Sequence, residues 1–313
     1  MPRAVRWLLR HDIAIDLSTP RLMGILNLTP DSFHAPSRVL DAPVSTAHSM
    51  LRDGACILDL GAESTRPGST RVDAAEQIRR LDHVLREREA QPALPQTHLS
   101  IDTTLAPVAR HALAHGFHAI NDVSAALESP DMLRVAADHN CGLILMHRAL
   151  PPTADSYSDR YTAPPMTGDA VKSVRDFLLE RARAAIDAGI NPERIALDPG
   201  FGFGKTVQQN LDLIHAIDAL LDTGFPILVG LSRKSFVGRL GDPARDTTPA
   251  QRLPASIALA LHLATRGVRI FRVHDVAEHA QAFRAWQAAE KPGTGHWATA
   301  GNHPPSGSPS AGC

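Results

Sequence analysis

The residues best suited to chemistry follow short apolar segments along the chain. Asp102, Asn121 and Asp198 could accept and donate hydrogen bonds in the plane of a flat heterocycle. Asn27 offers a neutral oxygen to a hard cation such as Mg²⁺, which usually keeps several waters and a substrate phosphate as well. A further group could hold an anion such as phosphate through guanidinium, ammonium or imidazole donors: Arg66, Arg233, Lys234, Arg272 and His274.

Each of these positions alone has a simpler explanation, because Asp and Ser after a strand often cap a helix or stabilise a turn. A functional site is favoured because all eight predicted strands end in carboxylate, amide or cationic residues. The segment 200–206 comes close to a nucleotide-binding P-loop, but Pro199 stands where the first glycine is required. We therefore interpret Gly200, Gly202 and Gly204 as a flexible loop near the ligand.

The elements that must position these residues are short apolar strands alternating with longer amphipathic helices. Near-continuous apolar runs are typical of parallel strands buried on both faces. The predicted strands cover residues 22–26, 56–60, 98–101, 118–120, 142–146, 195–197, 226–231 and 268–273. The predicted helices cover residues 42–53, 74–89, 106–115, 130–139, 169–188, 207–222, 252–266 and 276–289. Several helices end at a stop glycine: Gly54, Gly116, Gly189, Gly224 and Gly267.

Eight such alternations predict a single-domain (β/α)₈ TIM barrel of the α/β class, in which the strand ends converge on one face. A doubly wound open sheet is the structural alternative. We expect a lead-in at residues 1–20, the catalytic barrel at 21–291 and a disordered Gly/Pro/Ser-rich tail at 292–313.

The composition argues against several classes of partner. The formal net charge is −1, and Lys and Arg form no long run, so we expect no nucleic-acid partner. We expect no membrane span, since no segment approaches the roughly 18 apolar residues required, and no signal peptide, because arginine interrupts the N-terminal stretch. Three cysteines without metal-site spacing favour a reducing compartment, and hence the cytoplasm.

Eight segments at these strand ends, in this order, resemble the dihydropteroate synthase family. The resemblance covers nearly the whole predicted barrel, and the eight segments together are far more specific than any one alone. They read MGILNLTPDSF at 23–33, ESTRPG at 63–68, SIDT at 100–103, INDV at 120–123, LMH at 145–147, LDPGFGFGK at 197–205, GLSRKS at 230–235 and RVHDV at 272–276.

The resemblance implies a transferase of folate biosynthesis, the target of sulfonamides. It would condense 6-hydroxymethyl-7,8-dihydropterin diphosphate with 4-aminobenzoate to 7,8-dihydropteroate and diphosphate, using Mg²⁺ bound at Asn27. The resemblance also implies a homodimer. The implied catalytic residues are Arg66, Asp102, Asp198, Lys234, Arg272 and His274. The implied substrate-binding residues also include Phe33, Thr65, Pro67, Asn121, Phe203, Ser235 and Val273.

The sequence departs from the family pattern mainly in its first strand-end loop. The family usually continues Asp-Ser-Phe with Ser-Asp-Gly-Gly, whereas this chain has His34, Ala35, Pro36 and Ser37. Because this loop helps to order the aminobenzoate site, three hypotheses stay open. The chain is a working dihydropteroate synthase, a pterin-binding relative that uses another amine or resists sulfonamides, or a pterin-binding protein without catalytic activity.

Overall fold

The computed structural model describes residues 4–28, 42–90 and 97–290. The predicted tail and Phe33 lie outside these residues. The ten strands of the described part are β1 Arg6–Leu8, β2 Ala14–Asp16, β3 Arg21–Asn27, β4 Ala55–Gly61, β5 His98–Asp102, β6 Ala119–Asp122, β7 Gly142–Met146, β8 Ile195–Asp198, β9 Leu228–Val229 and β10 Ile270–Val273.

Strands β3 to β10 form one parallel sheet in the order β8-β7-β6-β5-β4-β3-β10-β9. A parallel bridge between Leu197 and Ile227 joins the two edges of this sheet. The Leu197 N–H also donates to the Pro226 carbonyl oxygen at 2.9 Å. The predicted (β/α)₈ barrel is therefore confirmed, and the open-sheet alternative is wrong.

The inward-facing side chains form an apolar layer below a polar one. Near the start of the strands, Ala119, Ala196 and Ile270 belong to a buried apolar cluster inside the barrel. Since side chains alternate along a strand, the residue two positions further on also points inward. That step reaches Asn121, Asp198 and Arg272. The strand period alone thus places polar groups above an apolar floor, at the carboxyl ends of the strands.

Helices surround the barrel and bury its outer face. They are α1 Ala42–Asp53, α2 Ala74–Ala90, α3 Ala106–Ala114, α4 Met132–Asp138, α5 Ala170–Asp187, α6 Val207–His215, α7 Ile217–Leu221, α8 Ser235–Gly241, α9 Leu253–Arg266 and α10 Val276–Glu290. Gly267 follows α9 with a φ of 113°, and the other four predicted stop glycines also have positive φ. No helix in the described ranges is long and apolar enough to span a membrane.

The structure corrects the sequence prediction at three elements. The helix predicted over 207–222 is two helices that meet at Ala216, whose φ of −100° and ψ of 24° interrupt the helical geometry. Of the strand predicted over 226–231, only Leu228–Val229 forms a strand. Helix α8 was not predicted, because its seven residues are too few to show a helical period.

The N-terminal segment, expected only as a lead-in, is a hairpin that closes the lower end of the barrel. Strand β1 pairs antiparallel with β2, and Trp7 lies opposite Ile15. Both side chains are fully buried against the apolar floor of the barrel. Their packing requires glycine at position 142, where a Cβ atom would lie 2.8 Å from Leu9 Cδ2. The barrel is thus sealed at one end, and the opposite end is left for the site.

Candidate active site

A buried carboxylate, Asp59, organises the centre of the polar layer. Its Oδ2 atom accepts hydrogen bonds from Arg272 Nε at 2.7 Å and from Asn121 Nδ2 at 2.9 Å. Arg272 Nη2 also donates to Asp102 Oδ2 at 2.6 Å. Oδ1 of Asp59 is buried and has no hydrogen-bond partner among the described residues. The geometry therefore joins three predicted site residues through a fourth that was not predicted.

Burial dominates the electrostatics of this cluster. It raises the pKa of Asp102 to about 7, opposed by Arg272 and reinforced by Asp59. Burial by itself would lower the pKa of Arg272, but the nearby Asp59 and Asp102 carboxylates raise it above its ordinary value. Arg272 is thus a permanent cation between two buried carboxyl groups, and Asp102 is able to change protonation state near neutral pH.

Lys234 and Asp198 form the adjoining part of the site. Lys234 Nζ donates to the Phe201 carbonyl oxygen and lies 4.2 Å from the centroid of the Phe203 ring. Burial lowers the pKa of Lys234 to about 8, although Asp198 opposes the shift. Burial raises the pKa of Asp198, while Lys234 and the N–H of Gly200, which donates to Oδ1 at 2.7 Å, oppose it. This half of the site presents a cation, a carboxylate and an aromatic ring.

The glycine-rich segment after β8 is held rigidly by a residue that was not assigned to the site. Lys205 is fully buried, and its Nζ lies 3.0 Å from His147 Nδ1. Nζ also donates to the carbonyl oxygens of Gly200 at 2.9 Å and Phe203 at 3.0 Å. Burial, followed by the charge of Lys234, lowers the pKa of Lys205 to about 7. Lys205 thus binds the protein's own backbone, which excludes the role of a P-loop lysine.

The glycines of this segment are required by close packing rather than by the flexibility that the sequence suggested. Gly200 has a φ of 64°, and a Cβ atom there would lie 1.9 Å from the His147 carbonyl oxygen. A Cβ atom at Gly204 would lie 2.7 Å from Ala149 Cβ. Asp155 accepts from the Gly204 N–H at 3.2 Å, so the long loop after β7 fixes the segment from outside.

The end of β10 supplies a histidine beside this cluster. His274 Nδ1 lies 3.1 Å from Ser232 Oγ, and burial, followed by Arg233 and Arg272, lowers its pKa to about 3. His274 is therefore neutral at pH 7. Arg233, an anion-site candidate, instead pairs with Asp275, its Nε lying 3.1 Å from Oδ2. The Val273 side chain lies in the apolar layer between strands and helices, so the structure does not bring it to the cluster.

The remaining predicted residues lie around the rim. Asn27 is the last residue of β3 and is half-buried. Arg66 is exposed in the loop after β4, with Thr65 and Pro67 half-buried on either side. Ser235 begins α8, directly after Lys234. Within the ranges that the structure describes, no group of three or more His, Cys, Asp or Glu side chains could hold a metal ion.

Comparisons with known proteins identify the family. Residues 23–274 match the family of pterin binding enzymes. The chain is 40% identical to dihydropteroate synthase of Neisseria meningitidis serogroup C over 279 residues, or 88% of this chain and 94% of that protein. The chain belongs to the dihydropteroate synthase family. This membership confirms the resemblance deduced from the eight strand-end segments.

Solved structures of this family share the fold. Dihydropteroate synthase of Xanthomonas albilineans with 4-aminobenzoic acid has a TM-score of 0.78 at 39% identity, over 88% of this chain and 95% of that one. The same organism's enzyme in complex with 7,8-dihydropteroate has a TM-score of 0.75 at 36% identity, over 88% of this chain and 96% of that one.

Two residues that the structure brings to the site were missed by sequence reasoning. Asp59 lies at the end of the apolar run 56–60 and was given no role in the site, although it stands two positions after the inward-facing Ile57. Lys205 was considered only as a P-loop residue. For Asp59 the strand period was a usable signal, whereas nothing local to Lys205 indicates that its side chain turns inward to His147.

Proposed function

We propose that this protein is a working dihydropteroate synthase. It joins the amine nitrogen of 4-aminobenzoate to the methylene carbon of 6-hydroxymethyl-7,8-dihydropterin diphosphate, and diphosphate leaves with the electrons of the broken C–O bond. The observation that carries the proposal is the connected cluster of Asp59, Asp102, Asn121 and Arg272 beside Asp198 and Lys234. It combines carboxylates and an amide suited to a heterocycle with the cations suited to a diphosphate.

The pterin ring would lie in the polar layer of the barrel. Asp102, Asn121 and Asp198 offer oxygen and nitrogen atoms at the ends of β5, β6 and β8, which suits the alternating donors and acceptors of a pterin edge. These groups stand above an apolar floor, so the ring displaces water from a site that is already built. Positive charge that develops on the ring as the C–O bond breaks would be stabilised by Asp102 and Asp198.

The diphosphate would lie between the end of β10 and the loop after β4, which carry the donors suited to an anion. Arg272 and the neutral His274 come from the end of β10, and Arg66 comes from the loop after β4. Arg272 keeps its charge at every accessible pH, so it can stabilise the negative charge on the departing oxygen. His274 can donate one hydrogen bond from its neutral ring.

The residues present fit a magnesium ion that arrives with the substrate. Mg²⁺ in such sites keeps several waters and is held by one or two protein ligands and substrate phosphates. Asn27, the last residue of β3, would supply a neutral amide oxygen at the rim. When bound, Mg²⁺ would neutralise charge on the leaving diphosphate.

The amine needs positioning more than activation. The nitrogen of an arylamine is neutral at pH 7, so it attacks with its own lone pair and then loses a proton to water or diphosphate. Phe203, beside the Lys234 ammonium, and Ser235 at the start of α8 stand next to the ring site and would help to orient the arylamine.

A turnover assay tests this proposal. Purified protein with Mg²⁺, pterin diphosphate and 4-aminobenzoate should release one diphosphate per dihydropteroate formed. Release of diphosphate without the aminobenzoate adduct would indicate a different amine, and binding of the pterin without turnover would indicate a protein that has lost the activity. A Lys234→Ala variant, expected to lose at least about tenfold in kcat/KM, is the control for contaminating enzyme.

We also propose that the protein acts as a homodimer in the cytoplasm, as the family resemblance implies. Light scattering of the purified protein should then give twice the chain mass of 33.7 kDa. A mass equal to that of one chain at micromolar concentration would contradict the dimer.

A further inference from the structure

An ion-pair cluster outside the ring site joins three loops at the carboxyl ends of the strands. Glu128, in the loop after β6, accepts a hydrogen bond from Arg71 Nη1 at 2.7 Å and another from Arg148 Nη2. Arg71 Nε lies 3.4 Å from Glu63 Oε1. Glu63 and Arg71 come from the loop after β4, and Arg148 from the loop after β7. We call Glu63, Arg71, Glu128 and Arg148 the Glu128 cluster.

This cluster holds both ends of the loop that carries Arg66. Glu63 precedes the segment 64–70 and Arg71 follows it. Glu63 also accepts from the Val72 N–H at 2.9 Å and from Gln77 Nε2 at 3.1 Å, which ties the loop to the start of α2. Apart from bonds within the loop, one further backbone bond is present, from the Gly68 N–H to the Pro152 carbonyl oxygen at 2.9 Å.

The cluster borders the site. Glu63, Arg71 and Arg148 of the cluster line a cavity of about 10 Å³ together with Thr65 and Asp102 of the site. The charge of Glu63 also contributes to the raised pKa of Asp102. Glu128 itself does not line this cavity, so a change at Glu128 would reach the site through the position of the loop that contains Thr65 and Arg66.

Partial burial gives the Arg148–Glu128 pair more strength than a pair on an open surface. The side chain of Glu128 is 23% exposed and that of Arg148 is 11% exposed, whereas that of Arg71 is 40% exposed. Burial alone would raise the pKa of Glu128, but hydrogen bonds from Thr104 and Arg71 and the charge of Arg148 lower it, so Glu128 is ionised at neutral pH. One carboxylate shared by two arginines from different loops couples the positions of those loops.

We propose that the Glu128 cluster positions the Arg66 loop over the diphosphate end of the site, so that Glu128, Arg71 and Arg148 are positioning residues for the synthase reaction. This inference rests on the proposed function for its kinetic consequence only. Its structural consequence, restraint of residues 64–70, holds for the protein without substrate.

A Glu128→Gln variant tests the proposal, because it keeps the side-chain shape and removes the charge that both arginines share. Amide hydrogen exchange across 64–70 should become at least about fivefold faster, and KM for the pterin diphosphate should rise by a similar factor. A Glu128→Asp variant should recover part of both effects. The matched control is Asp176→Asn, since Asp176 accepts from Lys172 at 2.6 Å and from Arg175 at 3.4 Å within helix α5 and bridges no loops.

The outcomes separate the two proposals. Unchanged exchange in Glu128→Gln, an equal change in the Asp176→Asn control, or faster exchange with an unchanged KM would overturn the positioning role. If the wild-type protein forms no dihydropteroate, the proposed function fails, and the exchange experiment still decides whether the cluster restrains the loop. If Glu128→Gln does not fold, Arg148→Gln removes one arm of the cluster and should give a smaller effect in the same direction.

Discussion

Replacing Arg272 by methionine should damage stability and activity through two separable effects. In the folded protein Arg272 bridges Asp59 and Asp102, with nitrogen–oxygen distances of 2.7 and 2.6 Å. Asp59 is fully buried and Asp102 is 8% exposed. Arg272→Met keeps most of the volume and removes the charge, so two buried carboxyl groups lose the cation that they share.

The size of the stability loss follows from this geometry. Two opposite charges about 4 Å apart attract by about 4 kcal/mol at an effective dielectric constant near 20. Removing one partner of a buried pair typically costs about 3–5 kcal/mol, because the other partner is left uncompensated. For a chain of this size, that corresponds to a fall in Tm on the order of 5–8 °C. Protonation of Asp102, whose pKa is already raised by burial, would reduce the loss.

A second substitution separates electrostatics from packing. Asp59→Asn in the Arg272→Met background removes one unpaired charge at almost constant shape, so it should recover at least about half of the lost Tm. The same double variant should keep a loss of at least about tenfold in kcat/KM, since the cation that stabilises the leaving diphosphate is still absent. Thermal melts and steady-state kinetics of the three variants would measure both quantities.

Two results would refute this reasoning. An Arg272→Met protein with wild-type Tm would show that the buried carboxylates do not depend on Arg272. Recovery of activity together with stability in the double variant would show that Arg272 acts only by holding the fold.

The remaining predictions concern the glycine-rich segment and the pH dependence of stability. Lys205→Met should raise KM for 4-aminobenzoate by about tenfold and KM for the pterin diphosphate much less, because the loop that carries Phe203 loses the hydrogen bond from Lys205 Nζ. Equal changes in both KM values would contradict this. In urea melts, Gly200→Ala should lower the free energy of unfolding by several times the roughly 1 kcal/mol expected for Gly168→Ala. Both glycines have positive φ, but only at Gly200 would a Cβ atom lie within 2 Å of a backbone atom, the His147 carbonyl oxygen. Equal losses in the two variants would contradict the packing. The pKa of Asp102 is raised to about 7 in the folded state, so ionising Asp102 destabilises the folded protein. The free energy of unfolding of the wild type should therefore fall by up to about 4 kcal/mol relative to Asp102→Asn as pH rises from about 4 to about 7, and should fall no further above pH 7. Parallel curves of unfolding free energy against pH for the two proteins would contradict this.

The barrel was predictable because parallel strands buried on both faces leave a strong local signal. The apolar runs at 56–60 and 142–146 fall within β4 and β7, and the stop glycines occur where the chain must turn back to a strand. The N-terminal hairpin was missed, since Trp7 and Ile15 are each the one buried residue of a three-residue strand, which is too short to show a strand period. Their burial depends on the barrel floor, which lies far from them in sequence.

The candidate site was predictable to the extent that it depends on strand ends. Convergence of the carboxyl ends brought Asp102, Asn121 and Arg272 into contact through Asp59. Interactions between distant loops were not predictable in this way. The Glu128 cluster joins residues up to 85 positions apart in sequence, from Glu63 to Arg148, and no spacing rule relates them.

The proposed function is tested most directly by a crystal structure of the protein with the pterin diphosphate bound. We expect the ring within the polar layer of the barrel, hydrogen-bonded to Asp102, Asn121 and Asp198, with its diphosphate toward Arg272 and His274. A pterin bound anywhere outside this layer, or with its diphosphate directed away from Arg272, would contradict the proposed site.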